Sequence, residues 1–238
     1  AKQVLDSGDI DLVLLGRKEQ INRCAADAGI SNINQLEIID PELSEKKKDY
    51  AQKLYEKRNR KGVSQILAGQ IINSQNYFAT MMLSCGDVDG MISGTTSSYR
   101  MAIRPLLEVI GVRKGQTLAG VYMMVKEQEI SFFADCTINV NPSAEQLAEL
   151  ALATHKVASW YSKDPLKIAM LSFASFGVNP CPETKKVARA VEILREIAPQ
   201  LEVDGEMQAD IALSPTLRQK DFPFSTLMGK ANILIFPI

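Results

Sequence analysis

Positions 93–98 hold Ser93, Gly94, Thr95, Thr96, Ser97 and Ser98, and Arg100 and Arg104 follow. On a helix that begins near Tyr99, arginines four apart share a face. Each guanidinium can grip a phosphate in bidentate fashion. The free N–H groups of the first turn and the helix dipole favour negative charge at the same place. The chemistry implied is anion binding. By spacing alone the ordinary reading is the favoured one, in which Ser97 or Ser98 merely caps the helix and the arginines are solvated.

These residues need elements to position them. Gly86 suits the left-handed position just past a helix end, and residues 88–92 read as a short buried strand leading into the hydroxyl-rich loop. Pro105 falls late in the helix and predicts a bend or restart. Upstream, the pattern gives a strand over 10–15, a helix over 18–28, a strand over 35–39 and a charged helix over 42–60 with a solvated face. Ser64 and Ser74 are candidate caps for two more helices, the second carrying a core stripe of Tyr77, Phe78, Met81, Met82 and Cys85. Downstream, residues 118–125 and 130–138 read as a hairpin. Asn141-Pro142 reads as a helix start, with Leu147, Leu150, Ala151, Val157, Ala158 and Tyr161 on one face. A strand over 168–172 feeds the small-residue turn 174–177. A helix over 183–198, an apolar stretch leading to Asp204-Gly205-Glu206, and a last strand over 231–236 complete the reading. Strands alternating with helices argue for an α/β fold with mostly parallel sheets and ligands at the carboxyl ends of strands.

Composition excludes several classes. With 46% hydrophobic and 23% charged residues the 238-residue chain reads as ordinary globular protein. A net charge of −1 offers no general nucleic-acid surface. Cys24, Cys85, Cys136 and Cys181 lack metal-ligand spacing and fit buried thiols in a reducing compartment. No signal peptide or apolar run of bilayer length is visible, so a cytoplasmic protein with no membrane contact is expected. His155, the single histidine, has no partner pattern for a nucleophilic triad. No glycine-rich nucleotide motif occurs.

The segment GDVDGMISGTTSSYRMAIRP, residues 86–105, resembles the signature of the phosphate acetyl/butyryl transferase (phosphotransacetylase) family. The segments YEKRNRKGVS, FFADCTINVNPSAEQLAELA, IAMLSFASFG, VDGEMQADIAL and GKANILIFP follow in that family's order. The resemblance implies two α/β subdomains with a cleft between them, similar to the isocitrate/isopropylmalate dehydrogenase architecture. Their bounds would be 1–117 and 118–238, with a strand missing before residue 1. The family continues past Pro237 differently from Ile238, and returns to the first subdomain beyond it.

The resemblance also implies roles. An acyl group moves between phosphate and coenzyme A, with Arg58 and Arg104 matching family arginines that hold phosphate. The implied binding set is Arg58, Ser93, Gly94, Thr95, Ser97, Arg104, Ser175, Gly177, Asp204 and Glu206, with no confident catalytic residue among them and no metal. The family's Ser-Arg pair and proposed aspartate base lie beyond the last strand of this chain. Two stretches, GEMQADIAL and FPFSTLMGKANILIFP, look more like the transferase-type domain at the end of bacterial NADP-dependent malic enzymes. The expectation is therefore an allosteric, oligomerising domain that binds acetyl-CoA or another acyl-CoA, with NADP and a divalent metal confined to a missing malic-enzyme domain. The alternative is a fragment of an active phosphate acetyltransferase. Expected partners are acetyl-CoA, phosphate or acetyl phosphate and a further copy of the chain, at least a dimer.

Overall fold

Along residues 167–171, KIAML, side chains alternate between two apolar layers. Ile168 and Met170 enter one and Ala169 and Leu171 the other. A strand covered by helices on both faces requires this pattern. A computed structural model describes residues 2–30 and 33–237. Ile238, where the sequence departs from the family pattern, lies outside the described residues. The chain divides into two units, residues 1–111 and 112–238.

In the first unit the order is α1 (Lys2–Ser7), β1 (Val13–Leu15), α2 (Lys18–Asp27), β2 (Glu37–Ile39), α3 (Lys47–Arg58), α4 (Gln65–Ile71), α5 (Gln75–Cys85) and α6 (Tyr99–Val109). β1 and β2 run parallel with Val13 opposite Glu37. The charged helix starts later than its sequence suggests, because Asp40 Oδ1 accepts the Glu42 N–H at 3.0 Å and turns the chain there. Ser64 caps α4 through the Leu67 N–H at 3.1 Å, as expected. Tyr50 and Leu54 of α3 pack with Phe78 and Met81 of α5 in the core. The Tyr50 and Phe78 rings meet edge-on at 5.0 Å.

The expected strand over 88–92 does not form, and Ile92 is 100% exposed. Among the described residues the sheet of this unit contains only β1 and β2. The segment runs as a loop in which Val88 packs against the core of this unit and Met91 lies beside Thr80, while Ile92 faces solvent. The cysteine expectation also changes: all four thiols are free, but Cys24 and Cys136 are exposed rather than buried.

The second unit contains β3 (Tyr122–Lys126), β4 (Glu129–Ala134), α7 (Ala144–Tyr161), β5 (Lys167–Leu171), α8 (Pro182–Ile197), β6 (Glu202–Met207), α9 (Ala209–Leu213), α10 (Pro215–Asp221) and β7 (Ile233–Ile235). The sheet order is β3-β4-β7-β5-β6, with only the β3–β4 hairpin antiparallel. α7 and α8 cover one face, where Leu147, Leu150, Val187 and Leu194 pack on Phe132, Ile168 and Ile233. Ile211 and Ala212 of α9 pack with Met207, Leu227 and Leu234 on the other.

Three expectations need correction here. α7 begins at Ala144 rather than after Asn141, because Ser143 and Gln146 form a reciprocal capping box. Tyr161, placed on its apolar face, is exposed. The last strand, expected over 231–236, is confined to Ile233–Ile235, all buried as the middle strand of the five described in this sheet.

Candidate functional site

The loop 86–98 is fastened at both ends. Gly86 closes α5 with φ of +77°, the left-handed value that favours glycine. Beside it Asp87 accepts a hydrogen bond from Lys46 Nζ at 2.6 Å and another from the buried Tyr50 hydroxyl. The bonds from Lys46 and Tyr50 hold the Asp87 carboxyl below its ordinary range. Burial, then that same bond, pushes the Tyr50 phenol up. Lys46 thus has a task beyond a solvated face.

At the far end Ser93 Oγ donates to Asn76 Oδ1 at 2.5 Å, and Asn76 Nδ2 donates to the Met101 carbonyl at 3.2 Å. Proline explains the second bond. Pro105 lies inside α6 and has no N–H, so the Met101 carbonyl loses the partner it would have four residues on. Helix α6 runs on from Tyr99 to Val109 without the expected restart. Between these ties Gly94 takes φ of +113°, Gly94 and Thr95 are exposed and Ser97 is half-buried. Ser98 sits at the N-cap of α6 with no side-chain capping bond.

The arginines meet at a carboxylate. Arg104 Nε donates to Glu108 Oε1 at 2.7 Å, and Arg58 Nη2 lies 3.7 Å from the same oxygen. Tyr77 donates its hydroxyl to Glu108 Oε2 at 2.6 Å. The Glu108 and Arg58 side chains are 15% and 16% exposed, whereas Arg104 is 65% exposed. Burial works to raise the Glu108 carboxyl, but hydrogen bonds from Tyr77 and Arg104 outweigh it and hold the group low. Burial and the bond to Glu108 push the Tyr77 phenol up to about 12. Arg58 Nε is buried with no partner among the described residues. Arg100 remains exposed on the outer side of α6.

In the second unit Ser175, Gly177 and Glu206 come together where β5 ends. Glu206, 4% exposed, accepts the Gly177 N–H at 2.6 Å, and its carbonyl accepts the Phe176 N–H at 2.8 Å. Ser175 Oγ accepts the Gln208 N–H at 3.0 Å. A cavity of about 350 Å³ opens here, walled by Phe176, Gly177, Thr184, Lys185, Glu206 and Phe224 among others. Asp204 sits one pleat away with both oxygens engaged, by Arg195 Nη2 at 2.7 Å and by Ser225 Oγ and the Thr226 N–H at 2.7 and 2.8 Å. The expected residues thus form two groups, one on each unit. Glu108, Asn76 and Asp87 escaped the sequence reading, and Tyr77, read as part of a core stripe, is half-buried with its hydroxyl on Glu108. Only Glu108 left a local signal, its spacing of four from Arg104.

Among the described residues no group of three His, Cys, Asp or Glu side chains could hold a metal ion. None of their helices is long and apolar enough to cross a membrane.

The profile of the phosphate acetyl/butaryl transferase family matches residues 1–238. The phosphate acetyltransferase of Clostridium acetobutylicum is 35% identical, over 100% of this chain and 73% of that protein. A longer phosphate acetyltransferase from Nitratidesulfovibrio vulgaris is 35% identical over 95% of this chain, which spans only 32% of it. A phosphotransacetylase crystal structure from Streptococcus pyogenes superposes with a TM-score of 0.86 at 32% identity, covering 100% of this chain and 72% of that one. These matches overturn the expected malic-enzyme regulatory domain. Sequence and structure run along nearly three quarters of free-standing phosphate acetyltransferases, and nothing in them links the chain to malic enzyme. The allosteric and oxidoreductase associations drawn from that reading fall with it.

Proposed function

The chain belongs to the phosphate acetyl/butyryl transferase family, and from that premise we propose that it serves acetyl transfer between phosphate and coenzyme A. The CoA sulfur attacks the acetyl phosphate carbonyl, a C–S bond forms, and the C–O bond to phosphate breaks. Phosphate leaves with the electron pair and the thiol proton passes to a base. On this reading Arg58 and Arg104 hold the phosphate end, where their charge offsets the leaving group's, and the N–H groups and hydroxyls of Ser93, Gly94, Thr95 and Ser97 complete the cradle.

The observation that carries this reading is the meeting of Arg58 and Arg104 at one carboxylate beside an exposed, hydroxyl-rich loop. The cavity beside Ser175, Gly177 and Glu206 has apolar walls at Phe176 and Phe224, which suit the acyl and pantetheine stretches of CoA. Asp204 shapes that wall by holding the 225–226 turn.

The natural gene product carrying this chain should release thiol from acetyl-CoA only when phosphate is present. Its absence in a thiol assay at saturating phosphate would sink the reading. Self-association, at least to a dimer, is part of the proposal. Candidate surface is edge strand β3, whose Tyr122, Met123, Met124 and Val125 are 42% to 61% exposed. Light scattering should show Val125→Lys dissociating the assembly; a monomeric wild type removes this part.

A further inference from the structure

Glu108 is placed where neither solvation nor core packing explains it. It sits one turn from Arg104 on α6, but Arg58 ends a different helix and Tyr77 belongs to a third. All three side chains converge on its carboxylate, two on Oε1 and one on Oε2. A carboxylate buried to this extent is costly unless its oxygens are engaged, and here both are.

The charges do not cancel. Two guanidinium groups face one carboxylate, which leaves an excess positive charge at the cluster. Arg104 commits its Nε to Glu108, and a guanidinium has four further N–H donors in a fixed plane. Its largely exposed side chain leaves that fork open to an incoming oxyanion. Glutamine in place of Glu108 can offer its one acceptor oxygen to both guanidinium groups, but it carries no negative charge and turns N–H donors toward the Tyr77 hydroxyl, so it holds the pair more weakly.

We propose that Glu108, fixed by Tyr77, is the positioning residue that sets Arg58 and Arg104 side by side to receive the phosphate group. The inference rests on the phosphate-transfer reading above. Glu108 does not touch the reacting atoms; it fixes the spacing and direction of the groups that do. Tyr77 matters because it keeps one carboxylate oxygen from rotating to meet the ligand in place of the arginines.

Calorimetry with inorganic phosphate as probe tests this without turnover. Glu108→Gln should weaken phosphate binding about tenfold, on the scale where each 1.4 kcal/mol is a factor of ten. Tyr77→Phe should weaken it about threefold. In steady-state assays Glu108→Gln should raise KM for phosphate by a similar factor while kcat changes less than threefold, a split that loss of folded protein does not produce. Unchanged or tighter binding in Glu108→Gln overturns the proposal, the tighter case showing that the carboxylate competes with the ligand. A fall in affinity that tracks the folded fraction in thermal melts overturns it as well.

The outcomes separate the two claims. Weakened phosphate binding in Glu108→Gln, with no thiol release from wild type, leaves the positioning role standing and removes the transfer reading. Normal turnover with intact phosphate binding in Glu108→Gln removes the positioning role alone. A wild type that binds no phosphate removes both.

Discussion

Two arginine centres in this chain use the same side chain to opposite ends. Arg218 in the second unit is 3% exposed and spends its guanidinium on backbone, donating to the carbonyls of Ile211 at 2.7 Å, Ala212 at 3.2 Å and Leu227 at 3.1 Å, and to that of Gly229. It ties the carbonyl end of α9 to the turn before β7. Burial pushes its ionisation down, with Asp204 and Glu202 opposing. Arg104 in the first unit donates its Nε to Glu108 at 2.7 Å, and its side chain stays 65% exposed. Saturation builds structure and leaves nothing for a ligand. An arginine steered by one carboxylate but otherwise open can bind.

The largest effect should come from the saturated centre. Arg218→Met orphans a set of buried carbonyls, each worth about 1–3 kcal/mol unmade, and should cost on the order of 3–5 kcal/mol in urea unfolding. The folded fraction should still bind phosphate normally. A variant of wild-type stability would erase the contrast.

Next comes the open centre. Arg104→Ala should weaken phosphate binding roughly ten- to a hundredfold, since a charge-assisted contact is worth about 1.5–3 kcal/mol. Its melting temperature should stay near wild type. A large stability loss without any change in affinity would make Arg104 a second structural arginine.

A smaller effect belongs to the tie between loop and helix. Asn76→Ala frees Ser93 and leaves the Met101 carbonyl to water, at about 1 kcal/mol. Calorimetry should show phosphate affinity reduced by less than tenfold, because the arginines keep their seat at Glu108.

Acid should probe that seat. Glu108 is held below its ordinary value of 4.5, so it contributes stability in full above that pH and loses it as pH falls through the depressed value. Unfolding measured below pH 4.5 should show a shallower acid loss in Glu108→Gln than in wild type. Equal slopes would mean that the carboxylate is not coupled to folding. Arg60→Ala, on an exposed side chain, should change neither stability nor phosphate affinity measurably; if it does, position along this segment matters less than charge.

Local signals carried much of this architecture. The strand at 167–171, the capping serine at Ser64, Phe78, Met81 and Met82 of the α5 stripe, and the face of Val187, Val191, Leu194 and Ala198 end up buried or capped as their spacing requires, while Tyr77 and Cys85 of that stripe are only half-buried. Each depends on neighbours within a few residues, where backbone geometry alone fixes which side chains share a face. Residues 86–105 likewise carry the hydroxyls, the helix start and the arginines on which the proposed anion site rests.

What only the tertiary structure decided involves residues far apart in sequence. Residues 88–92 are apolar enough for a strand, but a strand needs an adjacent partner, and the first unit supplies none among its described residues. β7 owes its place to neighbours β4 and β5, which lie about 65 to 100 residues earlier in the chain. Glu202–Met207 holds Asp204 and Glu206 as buried strand residues, since their carboxylates find donors in Arg195, Ser225 and the Gly177 N–H that no spacing rule connects. Gly205 lies between them with φ of +145°, where a Cβ would stand 2.5 Å from the Met170 carbonyl oxygen. Arg58 reaches Glu108 across fifty residues for the same reason. Periodicity reports which face of an element is apolar, but it carries no information on which distant element will lie against that face.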